Sequence, residues 1–171
     1  MKKDALLIFA STSGSTTLLA EHLARVFSSS IDLIRIPREC VFSETLNRKL
    51  IVLMSPTYAE GNLHHAWIEQ GPLIFRTLAP GQRIALIALG DSRLHKATFA
   101  GALKVFHDIL SQQNAQLIGD VSADEISYPF GPSNMGGRFP GLPVEFRKER
   151  AQTKERACTW LADCLRRADA H

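Results

Sequence analysis

Residues 11–16 read Ser-Thr-Ser-Gly-Ser-Thr, five hydroxyl side chains and one glycine between an apolar run and an amphipathic one. Such residues can hold an anion, because hydroxyls and the unbonded N–H groups of a starting helix are all donors. Hydrogen bonds to a charged group contribute about 1.5–3 kcal/mol each, against about 0.3–1 kcal/mol from the helix dipole. Several donors therefore outweigh the dipole, and such a cradle needs no lysine; this one contains none. The stretch lacks the Gly-Lys-Ser/Thr ending of a triphosphate loop, and no Gly-x-Gly-x-x-Gly fingerprint follows the apolar run. A single terminal phosphate suits it better than a pyrophosphate. The same residues also make a capped polar turn, and the stretch alone leaves both readings open.

Two further loops follow apolar runs: SPTYAEGNLHHAW at 55–67 and ALGDSRLHKATF at 88–99. They carry His64, His65 and His95, which raises the question of a metal. Adjacent histidines on a helix point apart and no carboxylate pattern accompanies them, so no metal site is expected. The cysteines, Cys40, Cys158 and Cys164, include no Cys-x-x-Cys pair. Neither zinc nor a disulfide framework is indicated, in keeping with a reducing compartment.

The elements that must position these loops are legible in the apolar pattern. Runs of strand length occur at 5–9, 31–36, 50–54, 83–89 and 115–119, most of them nearly continuous rather than alternating. That pattern predicts strands buried on both faces of a parallel sheet. Helix-period stripes lie between several of them: Leu19, Leu23 and Phe27; Phe99, Leu103, Phe106 and Leu110; and Ala157, Trp160, Leu161 and Leu165. The expected fold is α/β, a doubly wound three-layer α/β/α sandwich on a five-stranded parallel sheet, forming one domain over 1–171. Ligands of such folds sit beyond the carboxyl ends of the strands, where all three loops fall. Residues 120–143 are rich in Gly and Pro and have no period.

Together the three loops resemble the FMN-binding loops of flavodoxins. The second is similar to the family's Pro-Thr-Trp-Gly-x-Gly-x-Leu…Trp pattern, as Pro56, Thr57, Tyr58, Ala59, Gly61, Leu63 and Trp67. The third is similar to Gly-x-Gly-Asp, with Ala88 for the first glycine, then Leu89, Gly90 and Asp91. The insertion at 120–141, with FPGLPVE, resembles the segment that splits the fifth strand in long-chain members, so the last strand should be interrupted. The resemblance implies an FMN cofactor. Ser11, Ser13 and Thr16 would offer hydroxyls to its phosphate, and Thr12, Gly14, Ser15 and Thr16 their N–H groups. Tyr58 would stack on the isoalloxazine. The regions of Thr57 and Asp91 would meet its polar edges, with Pro56, Ala59, Leu89 and Gly90 completing the cofactor-binding set.

The sequence departs from the family in three places. His95 stands where a second stacking tyrosine is common, and imidazole covers less of a flavin and can become charged. Ala59 replaces the usual Gly or Asn where the backbone turns over on flavin reduction; a positive φ there would cost about 1–2 kcal/mol. The family is typically acidic, whereas this chain has a formal charge of +3 and a basic run, EFRKERAQTKER, at 145–156.

That charge is too small to argue for nucleic acid, and no apolar stretch approaches the ~20 residues that span a bilayer. The basic start and apolar run of MKKDALLIFAST are too short for a signal core, so the reading is a first strand in a cytoplasmic protein. The expected function is an electron carrier between redox partner proteins, a reductase and an acceptor, both acidic-surfaced, with the chain a monomer or weak homodimer. An FMN-dependent NAD(P)H:quinone reductase on the same fold is the alternative, and a flavin-free interaction module a second.

Overall fold

The computed structural model of the chain describes residues 1–12, 14–38, 43–45, 47–145 and 150–170. Ser13, Cys40 and residues 146–149 of the basic run lie outside the described residues, as do the side chains of Ala59 and Arg150.

Four long strands carry the sheet: β1 (Ala5–Ala10), β2 (Ile31–Ile36), β3 (Leu50–Pro56) and β4 (Arg83–Gly90). Every residue of β1 is buried, as are the first six of β3, which is why both read as continuous apolar runs. All pairings among these strands are parallel, in the order β2-β1-β3-β4. The fifth position is filled twice. β5 (Gln116–Ile118) pairs with Arg83–Ala85 of β4, and β8 (Leu142–Glu145) pairs with Ile87–Gly90 of the same strand. The chain leaves the sheet between them, so the expected interruption of the last strand is present.

That excursion is folded. β6 (Val121–Ser122) and β7 (Arg138–Phe139) form an antiparallel pair at its base. Helices α1 (Gly14–Val26), α2 (His65–Phe75), α3 (Gly101–Leu110) and α4 (Arg150–Asp169) cover the sheet. α1 packs beside α4, while α2 and α3 meet through Trp67, Phe75 and Phe106, whose rings lie 5.1–6.4 Å apart. Leu103, Phe106 and Leu110 of the predicted α3 stripe are buried, and so is Phe99 ahead of the helix. On α4 the buried line is Ala157, Leu161, Cys164 and Ala168; Trp160 and Leu165 flank it and are only partly buried.

The excursion also completes α3. The N-cap position is Ala100, left-handed at φ 53°, which has no side-chain oxygen to offer. Ser133, fully buried and 33 residues away, supplies it: its hydroxyl donates to the Ala100 carbonyl at 2.7 Å and accepts from Lys104 N–H at 3.0 Å.

From β1 the chain runs outward to β2, then returns to β3 on the other side of β1. The switch point is therefore at the carboxyl ends of β1 and β3, where neighbouring connections leave in opposite directions and open a crevice.

Candidate functional site

The hydroxyl loop leaves β1 at the switch point and enters α1. Ser11 is buried, Thr12 and Gly14 are exposed, Ser15 is half-buried and Thr16 is buried. The N–H groups of the first turn of α1 have no acceptors within the helix, and that turn contains no acidic residue. The positive end of a helix attracts an anion, and no acid of its own first turn competes for it here. A Cβ built at Gly14 meets nothing within 4 Å, so packing within the chain does not require glycine there. The residues present fit a phosphate on these grounds.

Two residues outside the loop brace it. Arg35, at the end of β2 and in register with Phe9, donates from Nη2 to the Ser11 carbonyl at 2.8 Å. His64, buried to 2% exposure, approaches Thr12 Oγ1 with Nε2 at 2.7 Å.

The second loop leaves β3. Thr57 N–H donates to the Leu89 carbonyl at 2.8 Å, which ties this loop to the end of β4. Tyr58 and Asn62 form an isolated bridge that closes the loop tip. The left-handed positions here are Glu60 (φ 59°), which bears the cost of a side chain in that region, and Gly61 (φ 86°), which does not. A Cβ on Gly101 would lie 2.7 Å from Gly61 Cα, so the two glycines let this loop touch the start of α3 backbone to backbone. Tyr58 is 37% exposed, and its hydroxyl lies 2.5 Å from Thr12 Oγ1.

His64 and His65 do not point apart. His64 precedes α2 as its N-cap, in extended backbone (φ −56°, ψ 142°), and its ring stacks on that of His65 with centroids 4.1 Å apart. Among the described residues no group of three or more His, Cys, Asp or Glu is placed to hold a metal.

The third loop leaves β4. Asp91 Oδ1 accepts from the N–H groups of Arg93 (3.0 Å) and Leu94 (3.3 Å), so its carboxylate shapes its own turn. Glu145, at the end of β8, accepts from Ser92 N–H at 2.8 Å and holds the loop from the other side. His95 is exposed, its N–H bonded to the Asp91 carbonyl at 2.9 Å.

The three loops meet in one cleft of about 240 Å³. Ser15 and Thr16 stand at one end, Pro56, Thr57 and Tyr58 form one wall, and Leu89, Gly90, Asp91 and His95 form the other. Leu94 belongs to the same wall and is 68% exposed, an apolar side chain that the loop motif did not single out. Ser11, Thr12 and Gly14 are not in the cleft lining; the first two precede α1 and Gly14 begins it.

A doubly wound parallel sheet with a cleft at its switch point, lined by the start of α1, Tyr58 and the Asp91 loop, defines an open α/β protein with the ligand crevice of that class. A family model described as flavodoxin matches residues 7–160. A flavodoxin of Enterobacter agglomerans is 25% identical over 175 residues, covering 95% of this chain and 96% of its own. One from Helicobacter pylori is 23% identical over 157 residues, covering 91% and 92%. The structure of Fusobacterium nucleatum flavodoxin bound to flavin mononucleotide superposes with a TM-score of 0.84 at 19% identity, covering 95% of this chain and 97% of that one. The chain belongs to the flavodoxin family.

Proposed function

We propose that this chain binds FMN and carries low-potential electrons between redox partner proteins. The meeting of Ser15 and Thr16, the Tyr58 wall and the Asp91 loop in one cleft carries this reading. When bound, FMN supplies the one-electron chemistry, and the protein supplies binding, orientation and electrostatics. The hydroxyls of Ser11, Ser13 and Thr16 and the N–H groups of Thr12, Gly14, Ser15 and Thr16 hold the phosphate. Tyr58 covers the ring from one side and His95 from the other. Thr57 and Asp91 lie along its polar edges, with Pro56, Ala59, Leu89 and Gly90 beside them.

The chain is a carrier rather than an enzyme acting on a small molecule. Its cleft opens to the surface beside Arg93, whose side chain is 68% exposed, and the exposed Lys96. Those cations and the net charge of +3 suit partners with acidic faces. No helix among the described residues is long and apolar enough to cross a membrane. Cys158 and Cys164 are free thiols, and burial pushes the Cys164 thiol up to about 12, well away from reactivity. These features suit a reducing cytoplasm.

The test is the visible spectrum of the purified protein, followed by anaerobic photoreduction and mixing with an acceptor protein. A flavin spectrum whose reduced form passes electrons to the acceptor, without direct oxidation of NADPH by a quinone, is expected. A colourless protein that ignores FMN contradicts the reading, and NADPH–quinone turnover by the chain alone makes it a reductase.

A further inference from the structure

His64 belongs to neither the hydroxyl loop nor the aromatic wall, yet it touches both. Its Nδ1 accepts from Ala66 N–H at 3.1 Å, capping α2. Its own N–H is fixed in turn, donating to Ser55 Oγ at 3.1 Å. A neutral imidazole whose Nδ1 lone pair is engaged must carry its proton on Nε2. Nε2 lies 2.7 Å from Thr12 Oγ1, so Thr12 is the acceptor in that bond.

The rest follows from the capacity of a hydroxyl. Oγ1 of Thr12 has two lone pairs and one proton. His64 occupies one lone pair. Tyr58 Oη, 2.5 Å away, can donate to the second. Thr12 is then a double acceptor whose remaining proton faces away from both partners, available to an anion. Resting on the FMN reading, we propose that His64 is a positioning residue for the phosphate site: its Nε2–H holds Thr12 as a donor toward the anion and links the cradle to Tyr58.

The surroundings keep His64 in the required form. Burial holds its imidazole below the ordinary range, and His65 and Arg35 add to that while Glu69 opposes it. Protonation would also put a proton on Nδ1 and break the cap to Ala66. Tyr58, the remaining polar ring against it, has its centroid 5.1 Å away.

Two substitutions separate positioning from structure. His64→Asn keeps an oxygen able to cap α2 but cannot reach Thr12, so fold stability is retained. We expect its FMN dissociation constant to rise about tenfold, the loss of one well-aimed hydrogen bond to a charged group. Riboflavin, which has no phosphate, should bind with unchanged affinity. Thr12→Val should weaken FMN by a similar factor, and the double variant should be no worse than Thr12→Val alone. Long-range ¹H–¹⁵N spectra of wild-type holoprotein should show His64 neutral with its proton on Nε2. A proton on Nδ1, or additive losses in the double variant, overturns the proposal even if His64→Asn folds poorly. Should the wild type fail to distinguish FMN from riboflavin, the phosphate cradle itself is wrong. Should it distinguish them and His64→Asn do so equally well, only the role of His64 is wrong.

Discussion

The two ends of the sheet handle charge in opposite ways. At the amino end, the Arg48 guanidinium is fully buried and every direction it points in is answered. Nη1 donates to the Lys3 carbonyl at 2.6 Å and to Asp32 Oδ2 at 2.5 Å, Nε to the Glu44 carbonyl at 2.8 Å, and Nη2 to Glu44 Oε2 at 3.3 Å. At the carboxyl end, Ser15 and Thr16 of the first turn of α1 line a cleft, with no acidic side chain in that turn. A buried charge inside a protein must be matched by the protein. The first arrangement holds the chain together, and under the proposed function the second meets the charge of a bound phosphate.

The sharpest way to break this comparison is to remove the answered charge. Arg48→Ala takes one of its donors from Asp32, the partner from the Glu44 carboxylate and the donor from two carbonyls, and should cost about 3 kcal/mol of stability in urea unfolding, with FMN affinity unchanged. Next is a charge placed at the open end. Ser15→Asp puts an acid at the start of α1, where it should stabilise the apoprotein by about 0.5 kcal/mol. The same carboxylate occupies the phosphate's place, so FMN should bind about 100-fold more weakly while riboflavin is spared. A single substitution that raises stability and destroys binding is the signature expected of a ligand site.

Two hydroxyls sharpen the contrast further. Ser133 bonds both the Ala100 carbonyl and Lys104 N–H and is fully buried, so Ser133→Ala should cost about 1.5 kcal/mol in stability, chiefly by taking the acceptor from Lys104 N–H, since the Ala100 carbonyl keeps Leu103 N–H at 3.0 Å. Thr12 accepts from the buried Nε2–H of His64, so Thr12→Val should cost about 1 kcal/mol in stability and, unlike Ser133→Ala, should also weaken FMN.

Acid separates the two ends with the smallest effect. Burial pushes the Asp32 carboxyl up, but the Lys3 N–H and the Arg48 guanidinium outweigh it and hold the group below its usual 3.8. Its contribution is present above 3.8 and is lost as pH falls through the lower folded value. His64 and His22 are both held below 6.5, so the unfolded chain binds more protons just under that pH. Stability should therefore fall first as pH drops below 6.5, then again below 3.8. His64→Asn should reduce the upper step, leaving the share of His22.

The same contrast explains what could be read in advance. Each of the three loops is contiguous in sequence, and hydroxyls, Pro-Thr-Tyr and Gly-Asp after apolar runs are local signals. β1, β3 and β4 are legible because near-complete burial makes them continuous in apolar residues, whereas β2 and β5 are only partly buried. Arg35 could be found only through its register with Phe9, since nothing in IDLIRI marks it as a neighbour of Ser11. His64 was misjudged because a histidine that caps a helix is extended, and its ring direction is not the one helical spacing assigns. α2 carries Gly71 and Pro72, both poor helix formers, and forms because Trp67, Ile74 and Phe75 are buried by it. Ser133 acts on a helix 33 residues away, which no local pattern reveals.

The central claim is that residues 11–16 form a phosphate cradle, and competition by inorganic phosphate tests it most directly. Apoprotein titrated with FMN and with riboflavin, in phosphate and in a phosphate-free buffer, should bind FMN much the more tightly. Added phosphate should weaken FMN by competition and leave riboflavin unimpaired. Equal affinity for the two flavins, with no effect of phosphate on either, would mean that the hydroxyl loop is only a capped turn.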